Sequence, residues 1–332
     1  MLMGKLNWDE LADKALAGSC LTTMEALSVL RSADEELLPL MQAAFKVRSH
    51  YYGRKVKLNM IMNAKSGLCP EDCGYCSQSI VSTAPIEKYV MLDKPTLIAG
   101  AKEALARQAG TYCIVASGRG PTERELDQVI EAVEEIRSTM PLKICACLGL
   151  LKEGQAQRLA QAGVHRYNHN LNTSSSHYTS ITQTHTYEDR IGTVQRAKES
   201  GMSPCSGVII GMGESDEDIV EMAMTLRSLD ADSIPINFLN AIPGTPLEHM
   251  EPVAPLKALK TLALFRLICP SKELRAAGGR EIRLRSLQPL ALYAVNSLFV
   301  GDYLTTEGQD VSADHRMIED LGFEIERYAV PV

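Results

Sequence analysis

Three cysteines lie close together in the stretch "SGLCPEDCGYCSQS", at Cys69, Cys73 and Cys76. We call residues 69–76 the three-cysteine loop. Structural zinc sites usually take four ligands, commonly from two C-x2-C pairs, and this loop has no evident partner pair. A 4Fe-4S cluster accepts three cysteine thiolates and leaves one iron open to another ligand. The spacing therefore favours a 4Fe-4S cluster at which a substrate or cofactor binds.

A second set of polar residues interrupts segments that otherwise look like buried strands. A single buried cysteine is usually a small hydrophobic residue, and an arginine ordinarily lies at the surface. The polar residues of this set differ from such isolated cases, because they recur at about the same place in successive strand-like segments. They are Cys113, Cys145, Asn168, Asn170, Cys205, Asn237 and Arg275. Strand alternation allows Cys147 as well as Cys145 to point inward. A buried Arg275 needs an anionic partner, and three thiolates beside it would suit a small anionic metal–sulfur cluster.

The elements that must position these residues alternate between strands and helices from about residue 57 onward. Apolar or β-branched runs alternate with amphipathic patterns such as "LDQVIEAVEEIRS", and two of those patterns end on a glycine. Eight such units predict an α/β fold, a (β/α)8 barrel of the TIM type, with functional side chains near the C-terminal strand ends. The strand segments are "KLNMIMNA", "TYCIVAS", "KICACLG", "HRYNHNL", "SPCSGVIIG", "DSIPINFL", "KELRAAGG" and "VNSLFVGD".

The first part of the chain has a different pattern. Residues 1–50 predict two or three amphipathic helices, which we expect to pack on the outside or the bottom of the barrel. The sequence therefore predicts an N-terminal helical extension over 1–50 and a barrel domain over 51–332.

Composition and charge limit the kinds of partner. The 332 residues are 45% hydrophobic, and 34 Lys and Arg against 41 Asp and Glu give a net charge of −7. This balance argues against nucleic acid or an anionic membrane as the main partner. The sequence has no secretory signal pattern and no long apolar run, which predicts a cytoplasmic protein. Its nine cysteines then indicate metal or redox chemistry rather than a disulfide framework.

The pattern C-P-E-D-C-G-Y-C directly after the first predicted strand resembles the signature of the radical S-adenosylmethionine enzymes. A second pattern of that superfamily, G-x-I-x-G-x-x-E, is met by Gly207, Ile209, Gly211 and Glu214. The resemblance implies that the three-cysteine loop holds a 4Fe-4S cluster and that S-adenosyl-L-methionine binds the open iron. It further implies that Tyr75 lies beside the adenine.

Within that superfamily the sequence resembles the biotin synthase family over nearly the whole chain from about residue 40, for example in "YNHNLNTS", "THTYEDR" and "LRAAGGRE". The resemblance implies a second cluster, of the 2Fe-2S type, held by Cys113, Cys145, Cys205 and Arg275. It favours Cys145 rather than Cys147 as the cluster ligand. It assigns no role to the remaining cysteines, Cys20, Cys147 and Cys269.

The same resemblance supplies the expected binding residues. Three amides match positions around the ureido ring of dethiobiotin, namely Asn168, Asn170 and Asn237. Five side chains match positions around S-adenosyl-L-methionine, namely Tyr75, Asn170, Asn172, Arg190 and Ile209. Some members of the family carry Asp where this chain has Asn172. We expect four residues to be catalytic, namely Cys69, Cys73, Cys76 and Arg275.

The implied activity is that of a sulfurtransferase, in which sulfur from the 2Fe-2S cluster is inserted into dethiobiotin to form biotin. Because the C–H bonds of dethiobiotin are not acidic, a radical must break them. The resemblance also implies a reducing electron donor, such as flavodoxin or ferredoxin, and a homodimer.

Three alternatives stay open. A radical S-adenosylmethionine mutase or maturase would keep the three-cysteine loop but need no second cluster, and the recurrent cysteines and Arg275 argue against it. A zinc-stabilised barrel could bind small molecules without chemistry. A redox sensor with labile clusters would need a DNA-binding or partner-binding module, which the sequence does not reveal.

Overall fold

Parallel strands that alternate with helices form a closed barrel in the computed structural model, which describes residues 7–327. The first strand of the ring pairs with both the second and the last, so the ring has no free edge. The strands are β1 Lys55–Lys65, β2 Thr111–Ala116, β3 Lys143–Cys147, β4 Arg166–Asn168, β5 Ser203–Cys205, β6 Val208–Ile210, β7 Ser233–Phe238, β8 Glu273–Ala276, β9 Ser297–Phe299 and β10 Glu324–Ile325. Each predicted strand segment contains a strand, and the predicted (β/α)8 barrel of the TIM type is confirmed.

The structure differs from the sequence-based prediction at the fifth segment and at the C-terminal end of the described chain. The segment "SPCSGVIIG" forms two short strands, β5 and β6, which both pair with β7. A Cβ placed on Gly207 would lie 2.0 Å from the carbonyl oxygen of Pro235, so only glycine fits where the backbone leaves the first of these strands. The strand β10 was not predicted and pairs with the start of β1 outside the ring.

Local sequence signals mark the ends of several helices. The helices are α1 Trp8–Leu16, α2 Thr23–Leu30, α3 Leu37–Tyr52, α4 Lys94–Ala106, α5 Glu123–Thr139, α6 Gln155–Ala162, α7 Tyr187–Glu199, α8 Asp216–Ser228, α9 Pro255–Ile268, α10 Arg280–Leu284, α11 Gln288–Ala291 and α12 Val311–Asp320, with short 3₁₀ turns at Asp34–Glu36, Tyr178–Ser180 and Arg285–Leu287. A capping box between Thr122 and Glu125 starts α5. The predicted glycines follow α6 and α7, where Gly163 and Gly201 have φ angles of +97° and +87°.

The three N-terminal helices lie on the outside of the barrel, where they pack on α8 and α9. Because they cover it, α9 is buried on nearly all sides, including Lys260. The ammonium of Lys260 is satisfied by the carboxylate of Asp34, 2.7 Å away, and by the carbonyl of Ser32. None of the helices in residues 7–327 is both long and apolar enough to cross a bilayer.

Candidate active site

A cavity of about 390 Å³ lies inside the barrel. Its walls come from the three-cysteine loop, from the interior faces and C-terminal ends of the strands, and from residues 303–306. Side chains from distant parts of the sequence meet here because the C-terminal ends of parallel strands converge at one end of the barrel.

Three of the recurrent cysteines meet in the barrel interior. Cys113 and Cys145 are direct neighbours across β2 and β3, and the thiol of Cys145 is within hydrogen-bonding distance of both Cys113 and Cys205. All three are buried, and Cys113 and Cys145 line the cavity. The contact with Cys113, together with burial, raises the pKa of Cys145 well above its ordinary value, and contact with Cys145 and burial do the same for Cys205. Three thiolates at this point therefore require a positive group among them.

Arg275 reaches the same region from β8. Its Nε donates to the hydroxyl of Ser297 at 3.1 Å, and its Nη2 donates to Oδ1 of Asn59 at 2.9 Å. The anionic partner that a buried Arg275 needs is Glu273, whose Oε1 lies 2.7 Å from Nη2. The guanidinium also stacks on the ring of Phe299 at 4.6 Å. Within residues 7–327 its Nη1 has no hydrogen-bond partner.

The three-cysteine loop is fastened to residues 182–184 by the two acids between its first cysteines. The carboxylate of Asp72 accepts from the hydroxyl of Thr182 at 2.6 Å and from the backbone N–H groups of Gln183 and Thr184 at 3.0 and 3.3 Å. Glu71 accepts from the hydroxyl of Thr184 at 2.5 Å. Although burial opposes it, these bonds lower the pKa of Asp72 to about 2.

The cysteines of the loop are free thiols that line the cavity. Burial raises the pKa of Cys76 to about 12 and raises the pKa of Cys69 and Cys73 as well. The thiols therefore stay protonated until a cationic group replaces the protons, and thiolate ligands of this kind suit iron or another soft metal centre.

Tyr75 is fixed by two other predicted residues. Its hydroxyl accepts a hydrogen bond of 2.6 Å from Nδ2 of Asn172, and Ile209 belongs to the same small apolar cluster as its ring. Asn172 has a φ angle of +70°, a conformation that Asn tolerates better than most residues. The predicted cofactor residues Tyr75, Asn172 and Ile209 are thus brought together.

Arg190 lies beside them and connects the loop to the fourth strand. Its Nη1 donates to the carbonyl of Asn170 at 2.8 Å, and its Nε donates to the hydroxyl of Tyr178 at 2.5 Å. His185 lies 3.1 Å from Nη2 of Arg190 and 3.5 Å from Sγ of Cys73. Burial, followed by the charge of Arg190, lowers the pKa of His185 to about 4, so this histidine is neutral. Tyr178 and His185 were not predicted from the sequence as members of the site.

The three predicted amides also line the cavity. Nδ2 of Asn168 donates to Oδ1 of Asn170 at 3.0 Å and lies 3.1 Å from Sγ of Cys205. This leaves Oδ1 of Asn168 and Nδ2 of Asn170 without a protein partner among residues 7–327. Asn237 is held between the carbonyl of Val208 and the N–H of Gly278, both at 2.9 Å.

Part of the cavity wall was not predicted from the sequence. Residues 303–306 close one side of the cavity, and Tyr303 is anchored by a hydrogen bond of 3.0 Å to Glu281. Cys147, given no role, lines the cavity too, and burial raises its pKa to about 12. Cys20 is exposed, and Cys269 is buried in the core after α9. Alternation along β3 already allowed an inward-facing Cys147, whereas no local signal marks residues 303–306.

Comparison with known proteins identifies both parts of the barrel. The profile of the Radical SAM superfamily matches residues 65–226, and that of the Biotin and Thiamin Synthesis associated domain matches residues 235–324. Biotin synthase of Bacillus pumilus (strain SAFR-032) is 64% identical over 331 residues, which is 99% of this chain and 100% of the relative. Biotin synthase of Bacillus subtilis (strain 168) is 64% identical over 319 residues, which is 96% of this chain and 95% of the relative.

Two solved structures share the fold at low sequence identity. Methylornithine synthase has a TM-score of 0.84 and 21% identity, with 96% of this chain and 98% of that chain covered. The FeFe-hydrogenase maturase HydG from Carboxydothermus hydrogenoformans has a TM-score of 0.80 and 18% identity, with 95% and 78% covered. These two likenesses establish the barrel, while the curated relatives establish the family. The chain belongs to the biotin synthase family of the radical S-adenosylmethionine superfamily.

Proposed function

We propose that the chain inserts a sulfur atom into dethiobiotin to form biotin. The proposal gives the three-cysteine loop a 4Fe-4S cluster with S-adenosyl-L-methionine, and gives Cys113, Cys145, Cys205 and Arg275 a 2Fe-2S cluster. The observation that carries it is that one cavity is lined by the three cysteines of the loop and by Cys113 and Cys145, the second of which contacts Cys205. The relatives named biotin synthase support the reaction, since the chain matches them over nearly their whole length.

The donor sets fit these groups. The loop offers three free thiols, and the barrel interior offers three more, among which Cys145 contacts both Cys113 and Cys205. Arg275 is close enough to interact electrostatically with Cys113 and Cys205, and its Nη1 has no partner in residues 7–327. Thiols in this arrangement give up their protons only to a cationic centre. When bound, the 4Fe-4S cluster with S-adenosyl-L-methionine supplies radical abstraction of hydrogen, and the 2Fe-2S cluster supplies the sulfur that replaces two C–H bonds by C–S bonds.

The chain's amides are suited to hold the ureido ring. A urea is neutral and has both N–H donors and a carbonyl acceptor, and an amide complements it without a charge to desolvate. Oδ1 of Asn168 and Nδ2 of Asn170 offer one acceptor and one donor, each without a partner in the described chain. The two hydrogen bonds of Asn237 to the backbone hold a third amide in place.

A different group of residues would orient S-adenosyl-L-methionine. Tyr75 and Ile209 supply apolar surface for the adenine, and Asn172 holds the tyrosine by its hydroxyl. Arg190 contributes a positive charge that is fixed by Tyr178 and by the backbone of Asn170. The barrel wall and residues 303–306 would exclude water and stray hydrogen donors from a radical.

The proposal has further parts that rest on family membership. The electron would come from a reducing protein such as flavodoxin or ferredoxin, and the chain would act as a homodimer. Residues 1–50 would serve as a helical extension of a barrel domain over 51–332, which agrees with the packing of α1, α2 and α3 on the outer helices.

The test is anaerobic incubation of reconstituted protein with dethiobiotin, S-adenosyl-L-methionine and a reductant. We expect biotin together with 5′-deoxyadenosine, and we expect Cys145→Ala to give 5′-deoxyadenosine without biotin. If the unsubstituted protein gives 5′-deoxyadenosine alone, the mutase or maturase alternative is favoured. Colourless protein with stoichiometric zinc would favour the zinc-stabilised barrel.

A further inference from the structure

A buried ionic network lies behind the second set of thiols and is centred on Glu273. This carboxylate is 4% exposed and receives both terminal nitrogens of Arg166, at 3.0 and 3.3 Å. The ammonium of Lys57 lies 3.3 Å from its Oε2, and Nη2 of Arg275 lies 2.7 Å from its Oε1. The hydroxyl of Ser233 adds a bond of 3.1 Å. One carboxylate thus serves three cations.

The network holds the carboxylate of Glu273 in a defined orientation, and Glu273 in turn holds Arg275. The paired bonds from Arg166 hold the plane of the carboxylate, as in other bidentate arginine–carboxylate pairs. Arg166 and Glu273 come from β4 and β8, on different sides of the barrel. The position of Oε1 is therefore set by the barrel itself rather than by a flexible side chain.

The consequence for Arg275 is that its guanidinium can present only one nitrogen to the cavity. Nη2 is engaged by Glu273 and Asn59, Nε is engaged by Ser297, and one face stacks on Phe299. Nη1 alone has no partner among residues 7–327. Without Glu273 the guanidinium would lose its shortest hydrogen bond, and its charge would face that of Arg166 uncompensated.

We propose that Glu273 is a positioning residue for the second cluster: through Arg275 it directs Nη1 toward the thiols of Cys113, Cys145 and Cys205. This inference rests on the proposed function, since it needs a cluster at that place. Groups that orient a metal ligand from behind commonly change metal affinity or activity by ~10–100-fold when they are replaced.

The test compares Glu273→Gln and Glu273→Ala with the unsubstituted protein after anaerobic reconstitution. The readouts are iron and sulfide per chain, the separate Mössbauer signatures of the two cluster types, and the rate at which each cluster is lost to a chelator. We expect loss of the 2Fe-2S cluster to be ~10–100-fold faster in Glu273→Ala, with the 4Fe-4S cluster unchanged. Glu273→Gln should be intermediate, because its amide oxygen can still accept from Nη2. Glutamine also keeps the side-chain volume of Glu273, so Glu273→Gln serves as the test variant if Glu273→Ala fails to fold.

Asp314→Asn is the matched control. Asp314 is another fully buried acid paired with an arginine, Arg280, at 2.7 Å, but it does not contact the thiols. The inference is overturned if the Glu273 variants lose the second cluster at the unsubstituted rate, or if Asp314→Asn accelerates its loss equally. If the unsubstituted protein never forms a second cluster, the proposed function fails instead, so the two failures are distinguishable.

Discussion

Replacement of Asp72 by Ala is expected to loosen the three-cysteine loop. The carboxylate accepts hydrogen bonds from three successive residues, Thr182, Gln183 and Thr184, and so joins the loop to a segment more than a hundred positions away. Each such bond contributes about 1 kcal/mol net. Because the two backbone N–H groups can turn to water when the carboxylate is removed, we expect a loss of about 2–3 kcal/mol rather than a larger penalty.

The effect should appear both in stability and in cluster content. Urea unfolding of the metal-free protein would measure the loss of free energy, and iron and sulfide analysis after reconstitution would measure the 4Fe-4S cluster. Asp72→Asn keeps an acceptor oxygen without the charge, so it should cost about half as much. Asp93→Ala is the control, since Asp93 caps the backbone N–H of Thr96 at the start of α4, away from the loop.

We expect both alanine variants to lose stability but only Asp72→Ala to lose 4Fe-4S content. The reasoning would be refuted if Asp72→Ala unfolded at the same urea concentration as the unsubstituted protein and bound the same iron. It would also be refuted if Asp93→Ala depleted the 4Fe-4S cluster as strongly, because the effect would then report general destabilisation.

Three further predictions follow from single side chains. Burial, followed by the charge of Arg166, lowers the pKa of His165 to about 4. As pH falls, this histidine is therefore protonated in the unfolded chain before it is protonated in the folded one, and the free energy of unfolding should fall by at most about 3 kcal/mol between about pH 6.5 and 4. Urea unfolding at pH 7 and 5 should show a weaker pH dependence in His165→Gln. Cys145→Ala should abolish the 2Fe-2S Mössbauer signature while Cys147→Ala keeps it, and the opposite result would reassign the ligand. Gly207→Ala should destabilise by about 3 kcal/mol or prevent folding, since its methyl would collide with the backbone of Pro235, and unchanged thermal unfolding would contradict that account.

The barrel could be predicted from the sequence because each strand and helix carries its own periodic signal. The convergence of Cys113, Cys145 and Cys205 could also be predicted, since parallel strands bring equivalent positions to one level. The break between β5 and β6 could not, because it depends on the carbonyl of Pro235, which belongs to another strand.

The residues that hold the site in place were harder to predict than those that line it. Glu273 stands two positions before Arg275 and therefore on the same strand face, so alternation could have identified it as the anionic partner. Its second partner, Arg166, is more than a hundred positions away and has no local signal. The pairing of His185 with Arg190 and Cys73 likewise depends on how a long loop folds back.

The central claim is that one barrel cavity has a 4Fe-4S site at the three-cysteine loop and a separate 2Fe-2S site deeper inside. An anomalous diffraction map at the iron absorption edge, from anaerobically grown crystals of the reconstituted protein, tests it most directly. We predict one iron peak at Cys69, Cys73 and Cys76 and another between Cys113, Cys145, Cys205 and Arg275. A single peak, or a second peak away from those three thiols, would contradict the account.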